Sequence, residues 1–225
     1  MLISTPPNLA SLPEQVAKTI ADGIMKLEIE PGASLREIPL AKFFGVSRSS
    51  VREALRILER DGVVSIRPRH GAKVTELSPS EMAEIYQIRA ALLGVACGLF
   101  AGRCTPDDLR FLDETLAQMT AIVVKNERAH ALLHAELSAS MASYICDRCS
   151  NSRLVVLLKQ MSLQVARYTT LGLSSESRRR QSLENWRELL VALRMNDATR
   201  ANQLGQKLVQ DNLAYALQIL NLPRS

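Results

Sequence analysis

A chain of 225 residues that is 47% hydrophobic and carries a formal net charge of +5 can bury two modest cores, one of about 75 residues and one of about 145. No run of 18 or more apolar residues occurs, and the N-terminus lacks the order of charged, apolar and small residues that marks a secretory signal. The expectation is a soluble, cytoplasmic protein without a membrane partner. Four cysteines scattered through the later part of the chain make no secreted disulfide framework. No phosphate loop, nucleophile elbow or paired histidine and acid is present, so no catalytic residue and no cofactor is expected.

In chain order, apolar residues at 12, 16, 20, 24 and 27 predict a helix from Leu12 to Leu27, stopped by Pro31-Gly32. A shorter amphipathic segment follows, with Leu40 and Ala41 facing inward. Gly45 supplies a permissive turn, and Val46, Val51, Leu55 and Leu58 give the next helix its apolar stripe. That stripe leaves Ser47, Arg48, Ser49 and Arg52 outward at the helix N-terminus. Ser47 is a good N-cap. Exposed hydroxyls suit phosphate contacts, and an arginine at this place in a helix-turn-helix can fork onto a guanine edge in the major groove. Asp61-Gly62 ends the helix. Val63 to Ile66 and Ala72 to Val74 then read as two short strands around the basic tip Arg67-Pro68-Arg69-His70-Gly71, a two-stranded wing. Between Arg36 and Lys73 nine Lys or Arg face four acids, a local net of +5, where a phosphate backbone would pass. The bland alternative is a solvated helix face beside an ordinary basic loop.

Thr75-Glu76-Leu77 forms a short connection, which divides the chain into residues 1–76 and 77–225. Ser78-Pro79-Ser80-Glu81 combines an N-cap serine, a first-turn proline and a capping-box glutamate. Further helix starts fall at Thr105-Pro106-Asp107-Asp108, near Glu127, near Asn151-Ser152, near Ser174-Ser175 and at Asp197. About six antiparallel helices are predicted, since only 4% of residues are aromatic and no strand-like alternation follows residue 75.

The run from Gly45 to Leu55 with its Arg/Gly wing resembles the winged-helix domain of GntR-family bacterial transcription regulators, over about a third of the chain. The resemblance implies base or phosphate contacts from Arg48 and Arg52, and wing residues His70 and Gly71 near the minor groove. Backbone contacts are implied for Arg36 and Ser47 to Ser50, with Arg67 and Arg69 gripping the adjacent backbone. Ser49-Ser50 stands where many members carry Thr-Pro.

The helical remainder is similar to the FadR-like subfamily, on Arg89-Ala90-Ala91-Leu92, Ser150-Asn151, and Ala192-Leu193 followed by Asp197 and Ala201. That resemblance implies a homodimer and a small-molecule effector inside the bundle. Most members hold a divalent metal there with an Asp and three His. In this sequence those ligands fall on Ser138, Ala142, Trp186 (or Asn185) and Leu208 (or Asn212), which do not replace them. No metal residue is therefore assigned, and an aromatic or acyl effector is expected against Trp186. The candidate pocket residues are Arg89, Ser138, Ala142, Tyr144, Arg167, Trp186 and Asn212, although Arg89 equally suits a structural ion pair.

Three other groups each admit two readings. His130 and His134 have two-His metal spacing but read as surface histidines. Cys146-Asp147-Arg148-Cys149, with Cys97 and Cys104, could form a redox or zinc site but reads as core thiols. Arg178-Arg179-Arg180 reads as solvated surface, with a dimer or DNA-backbone contact as the sharper option. The expected function is ligand-responsive, sequence-specific regulation of transcription, as a repressor acting on a pseudo-palindromic operator. The alternative is an architectural or redox-sensing DNA-binding protein without an effector.

Overall fold

The computed structural model describes residues 10–26, 28–67, 71–123 and 128–220. The chain forms two compact units, Met1–Glu76 and Leu77–Ser225. In the first, α1 (Leu12–Met25) opens on a capping box: Ser11 accepts from the Glu14 amide and Glu14 returns a bond to the Ser11 amide. Its C-cap is Lys26, so the helix closes well before Pro31-Gly32. A short strand β1 (Ser34–Leu35) precedes α2 (Glu37–Phe44), which ends at Gly45 in the left-handed conformation, φ 64°.

Helix α3 (Arg48–Arg60) buries Val51, Ala54, Leu55 and Leu58 against Val16, Ala17 and Ile20 of α1. Leu40 and Ala41 of α2 are only half-buried, because that short helix covers the core edge and no residue of it is fully enclosed. Strands β2 (Val64–Arg67) and β3 (Gly71–Val74) pair antiparallel with Arg67 opposite Gly71. The sheet has three strands in the order β1-β3-β2, since Ser34 and Leu35 also pair with Lys73 and Ala72. The wing is thus the outer part of a slightly larger sheet, which a two-residue strand is too short to announce in sequence.

The second unit is all helical among the described residues: α4 (Pro79–Ala101), α5 (Pro106–Ile122), α6 (Arg128–Arg148), α7 (Ser152–Leu171), α8 (Glu176–Arg194) and α9 (Ala198–Leu220). Capping boxes at Ser78/Glu81 and Thr105/Asp108, and N-cap bonds from Asn151 and Ser175, fix four of these starts. Helix α4 is long and apolar enough to cross a membrane, yet it is the bundle's central helix. Met82, Tyr86, Leu93, Cys97 and Phe100 are buried on it, and it packs on α6, α7, α8 and most extensively on α9. The α4–α9 approach depends on glycine: a Cβ on Gly94 would lie 2.6 Å from Gln206 Cγ, and one on Gly205 would lie 2.8 Å from Cys97 Sγ.

Candidate nucleic-acid interface and bundle interior

Ser47 caps α3 by accepting from the Ser50 amide at 3.1 Å, and its hydroxyl also meets those of Ser49 (2.7 Å) and Ser50 (2.9 Å). The three serines form a local cluster around the helix start. Arg36, Ser47, Arg48, Ser49, Arg52, Arg67 and Gly71 are exposed and Ser50 is half-buried, while Arg69 and His70 lie outside the described residues. Arg52 is held in one geometry. Its Nε and Nη2 donate to the two carboxylate oxygens of Glu37, both at 2.8 Å, and Arg48 Nη2 lies 3.6 Å from the same group. The Arg52 hydrogen bonds, more than any other influence, hold the Glu37 carboxyl below the usual carboxylate range. Sequence reasoning missed Glu37, because the pairing joins residues 15 apart on two helices.

The bundle interior is polar at its centre. Trp186 of α8, 1% exposed, donates its indole N–H to Ser138 of α6 at 3.0 Å. Tyr86 of α4 donates to Asn212 of α9 at 2.9 Å, and Asn212 donates to the Thr169 carbonyl of α7. Half-buried Arg89 donates to Ser162. Arg167 is buried and donates to the Tyr168 hydroxyl, which also accepts from the Leu77 amide. These contacts bring Ser138 together with Trp186 and Tyr86 together with Asn212, while Arg89 meets Ser162. Tyr144 is drawn elsewhere. It stacks on Phe111, lies under Arg148 and donates to Asp108 at 2.8 Å, a cluster between α5 and α6. Ala142 is half-buried beside the core and offers no polar atom.

Two sequence readings need correction. His134 is no surface histidine: it is fully buried, and neither ring nitrogen has a hydrogen-bond partner. Burial, and then the Arg179 and Arg178 guanidinium groups, push its pKa down to about 4. Arg178 and Arg179 are not solvated, at 4% and 0% exposure. Arg179 Nη1 donates to the carbonyls of Leu173 and Ser174, and Arg178 Nε donates to that of Asp211 while its Nη1 stays unpartnered. Only Arg180 of the triplet is exposed, paired with Glu176. The signal was present. His134 stands one turn before Ser138 and Arg179 two turns before Trp186, so both share a face with a pocket residue already singled out.

The positions matching the subfamily's metal ligands do not fit a metal. Ser138 accepts from an indole, Trp186 is donor-only, Ala142 and Leu208 have no donor atom, and Asn185 gives its amide N–H to Asp211. Among the described residues no group of three or more His, Cys, Asp or Glu could hold an ion. The four thiols are free. Burial pushes Cys146 up to about 12 and Cys104 up to about 11, which leaves both as neutral thiols.

The model of the bacterial regulatory proteins of the gntR family matches residues 12–74, and that of the FCD domain matches residues 84–211. The chain belongs to the GntR family and carries an FCD domain. It is 36% identical over 129 residues to the uncharacterized HTH-type transcriptional regulator YdhC of Bacillus subtilis, 53% of this chain and 56% of that one. It is 26% identical over 213 residues to the HTH-type transcriptional regulator McbR of Escherichia coli, 94% of this chain and 95% of McbR. The structure of E. coli McbR/YncC superposes with a TM-score of 0.80 at 26% identity, covering 95% of this chain and 100% of that one. The Glc operon transcriptional activator of E. coli is 25% identical over 164 residues, 66% of this chain and 63% of the activator. The GntR-family chain thus spans a little over half of YdhC and nearly all of McbR.

Proposed function

We propose that this GntR-family protein is a cytoplasmic, homodimeric repressor that reads a pseudo-palindromic operator with α3 and the wing, and that leaves it when an effector enters the FCD bundle. The observation that carries the DNA-binding part is the start of α3. Two exposed arginines, Arg48 and Arg52, flank a serine-capped N-terminus whose opposite face is locked into the core by Val51 and Leu55. A rigid helix presenting forked donors suits base readout in the major groove.

A second copy is assigned to α4, where Ile88, Leu92, Val95 and Leu99 repeat at spacings of 4, 3 and 4. Ile88, Val95 and Leu99 are each at least 41% exposed. The effector is assigned to the polar centre of the bundle, and no metal is included because the donor set is wrong for one. Tyr168 bonds the amide of Leu77, the first residue of the second unit, which gives an effector near Arg167 a route to the inter-unit segment.

Fluorescence anisotropy with duplex from immediately upstream of the gene, beside a scrambled duplex at about 150 mM salt, tests the reading; preferential binding to the upstream duplex is expected. Equal, steeply salt-dependent binding to every duplex, genomic fragments included, would favour an architectural protein instead. Within this reading Glu37 sets discrimination rather than affinity, because it pre-aims Arg52 and sets a negative charge beside the arginines. Glu37→Gln is expected to strengthen binding to random DNA and to lower the operator-to-random ratio by up to ~10-fold, read in the same assay.

A further inference from the structure

Among the described residues of the first unit, three large apolar side chains stand exposed: Leu12, Ile38 and Phe43. An exposed isoleucine is ordinary on a protein surface, so its place decides whether it has a task. Leu12 opens α1, and Phe43 lies at the C-terminal end of α2. Ile38, 64% exposed, lies in the first turn of α2 directly after Glu37. Glu37 accepts two bonds from Arg52, both at 2.8 Å, and has Arg48 at 3.6 Å. The start of α2 is therefore tied to the exposed arginines of α3, and Ile38 is the neighbour of the residue that makes the tie.

That turn is braced. Pro39 follows, where its missing N–H takes nothing from the helix ladder and its ring fixes the backbone. Isoleucine branches at Cβ and has few rotamers in a helix, so Ile38 is a stiff apolar knob. It carries no hydrogen-bonding atom. Of the four bases only thymine, through its 5-methyl group, offers such a side chain a matching feature in the major groove. In a helix-turn-helix the second helix lies in that groove while the first crosses the adjoining backbone.

We propose that Ile38 is a specificity-determining residue that reads a thymine 5-methyl group in each half-site of the operator, beside the base pairs met by Arg48 and Arg52. The assignment rests on the DNA-binding reading above and extends it from α3 to α2. Removing one methyl group from water against an apolar side chain is worth about 4-fold in affinity, so a homodimer on two half-sites gains roughly 16-fold.

The full chain selects its operator from a random duplex library, in parallel with Ile38→Ala, which shortens a solvent-exposed side chain and leaves the core intact. Expected is one consensus with a thymine in each half-site that the wild type requires and the variant relaxes, all other positions being shared. Deoxyuridine, which differs from thymidine in its base only by the missing methyl, then replaces each thymine of that operator in turn, in both half-sites together. Anisotropy titrations are expected to show about a 16-fold loss for the wild type at one pair of positions, and a change within about 2-fold for Ile38→Ala at the same pair. Phe43→Ala removes a more exposed apolar side chain about 140° further round the helix, and is expected to keep the wild-type response.

Identical consensus sequences for wild type and Ile38→Ala, a relaxed position that is not a thymine, or deoxyuridine losses equal in both proteins overturn the proposal and leave the regulator in place. An Ile38→Ala loss of equal size on operator and random duplex does the same, because it marks an effect on the fold. Failure of the wild type to select any consensus removes the regulator reading, and the reading of thymine by Ile38 with it.

Discussion

Acidification from pH 6.5 to 4 is expected to cost the ligand-free protein about 3 kcal/mol of stability through one side chain, His134. In the folded chain its pKa is pushed down to about 4 by burial, with Arg179 and Arg178 adding to the effect. In the unfolded chain it returns to about 6.5. Across that window the unfolded state holds a proton that the folded state refuses, so stability falls as the pH falls. Below about pH 4 both states are protonated and the loss stops growing; above 6.5 both are neutral and it vanishes. Carboxylates held low in the native state, Glu37, Glu81 and Asp108 among them, act at the acidic end of the same range. The measurement is therefore a comparison. Urea midpoints for wild type and His134→Met are taken every half unit of pH, and the difference between them is expected to grow toward acid. Parallel curves would mean that water reaches the ring in the folded state.

That histidine also marks where sequence reading stopped. Helix starts were legible because they are local: a serine, threonine or asparagine three residues before the amide it caps is a short-range signal, and Ser78, Thr105, Asn151 and Ser175 all act as read. The recognition helix was legible for the same reason, with Ser47 and Gly45 flanking it. Burial of a charged or titratable side chain is different, since it depends on which helix lies opposite. Arg178-Arg179-Arg180 looks like solvent-facing charge by composition, and only the packing of α8 against its neighbours turns two of the three inward.

Tyr144 failed in the opposite direction. A phenol beside the expected pocket was legible as a ligand, but Asp108, 36 residues earlier, claims its hydroxyl. Trp186 and Ser138 were each identified through the resemblance, and the bond between them is a tertiary fact that neither position announces.

On the DNA-binding unit, Arg48→Ala is expected to cost about 1 to 3 kcal/mol on the operator and much less on random duplex. Arg48 is better placed than Arg52 to show this. Arg52 spends Nε and one Nη2 proton on Glu37, whereas Arg48 stands 3.6 Å from that carboxylate, so its fork stays open for a base edge. The 3.6 Å approach of Arg48 to Glu37 is solvent-exposed and too weak to hold that arginine back from a bidentate contact. A loss confined to the operator identifies Arg48 as a base reader, and substitution of one base pair in each half-site should then remove the same free energy from wild type and nothing further from the variant. Equal losses on operator and random DNA, with a salt slope reduced by about 1, would instead place Arg48 on a phosphate and move base readout to Arg52.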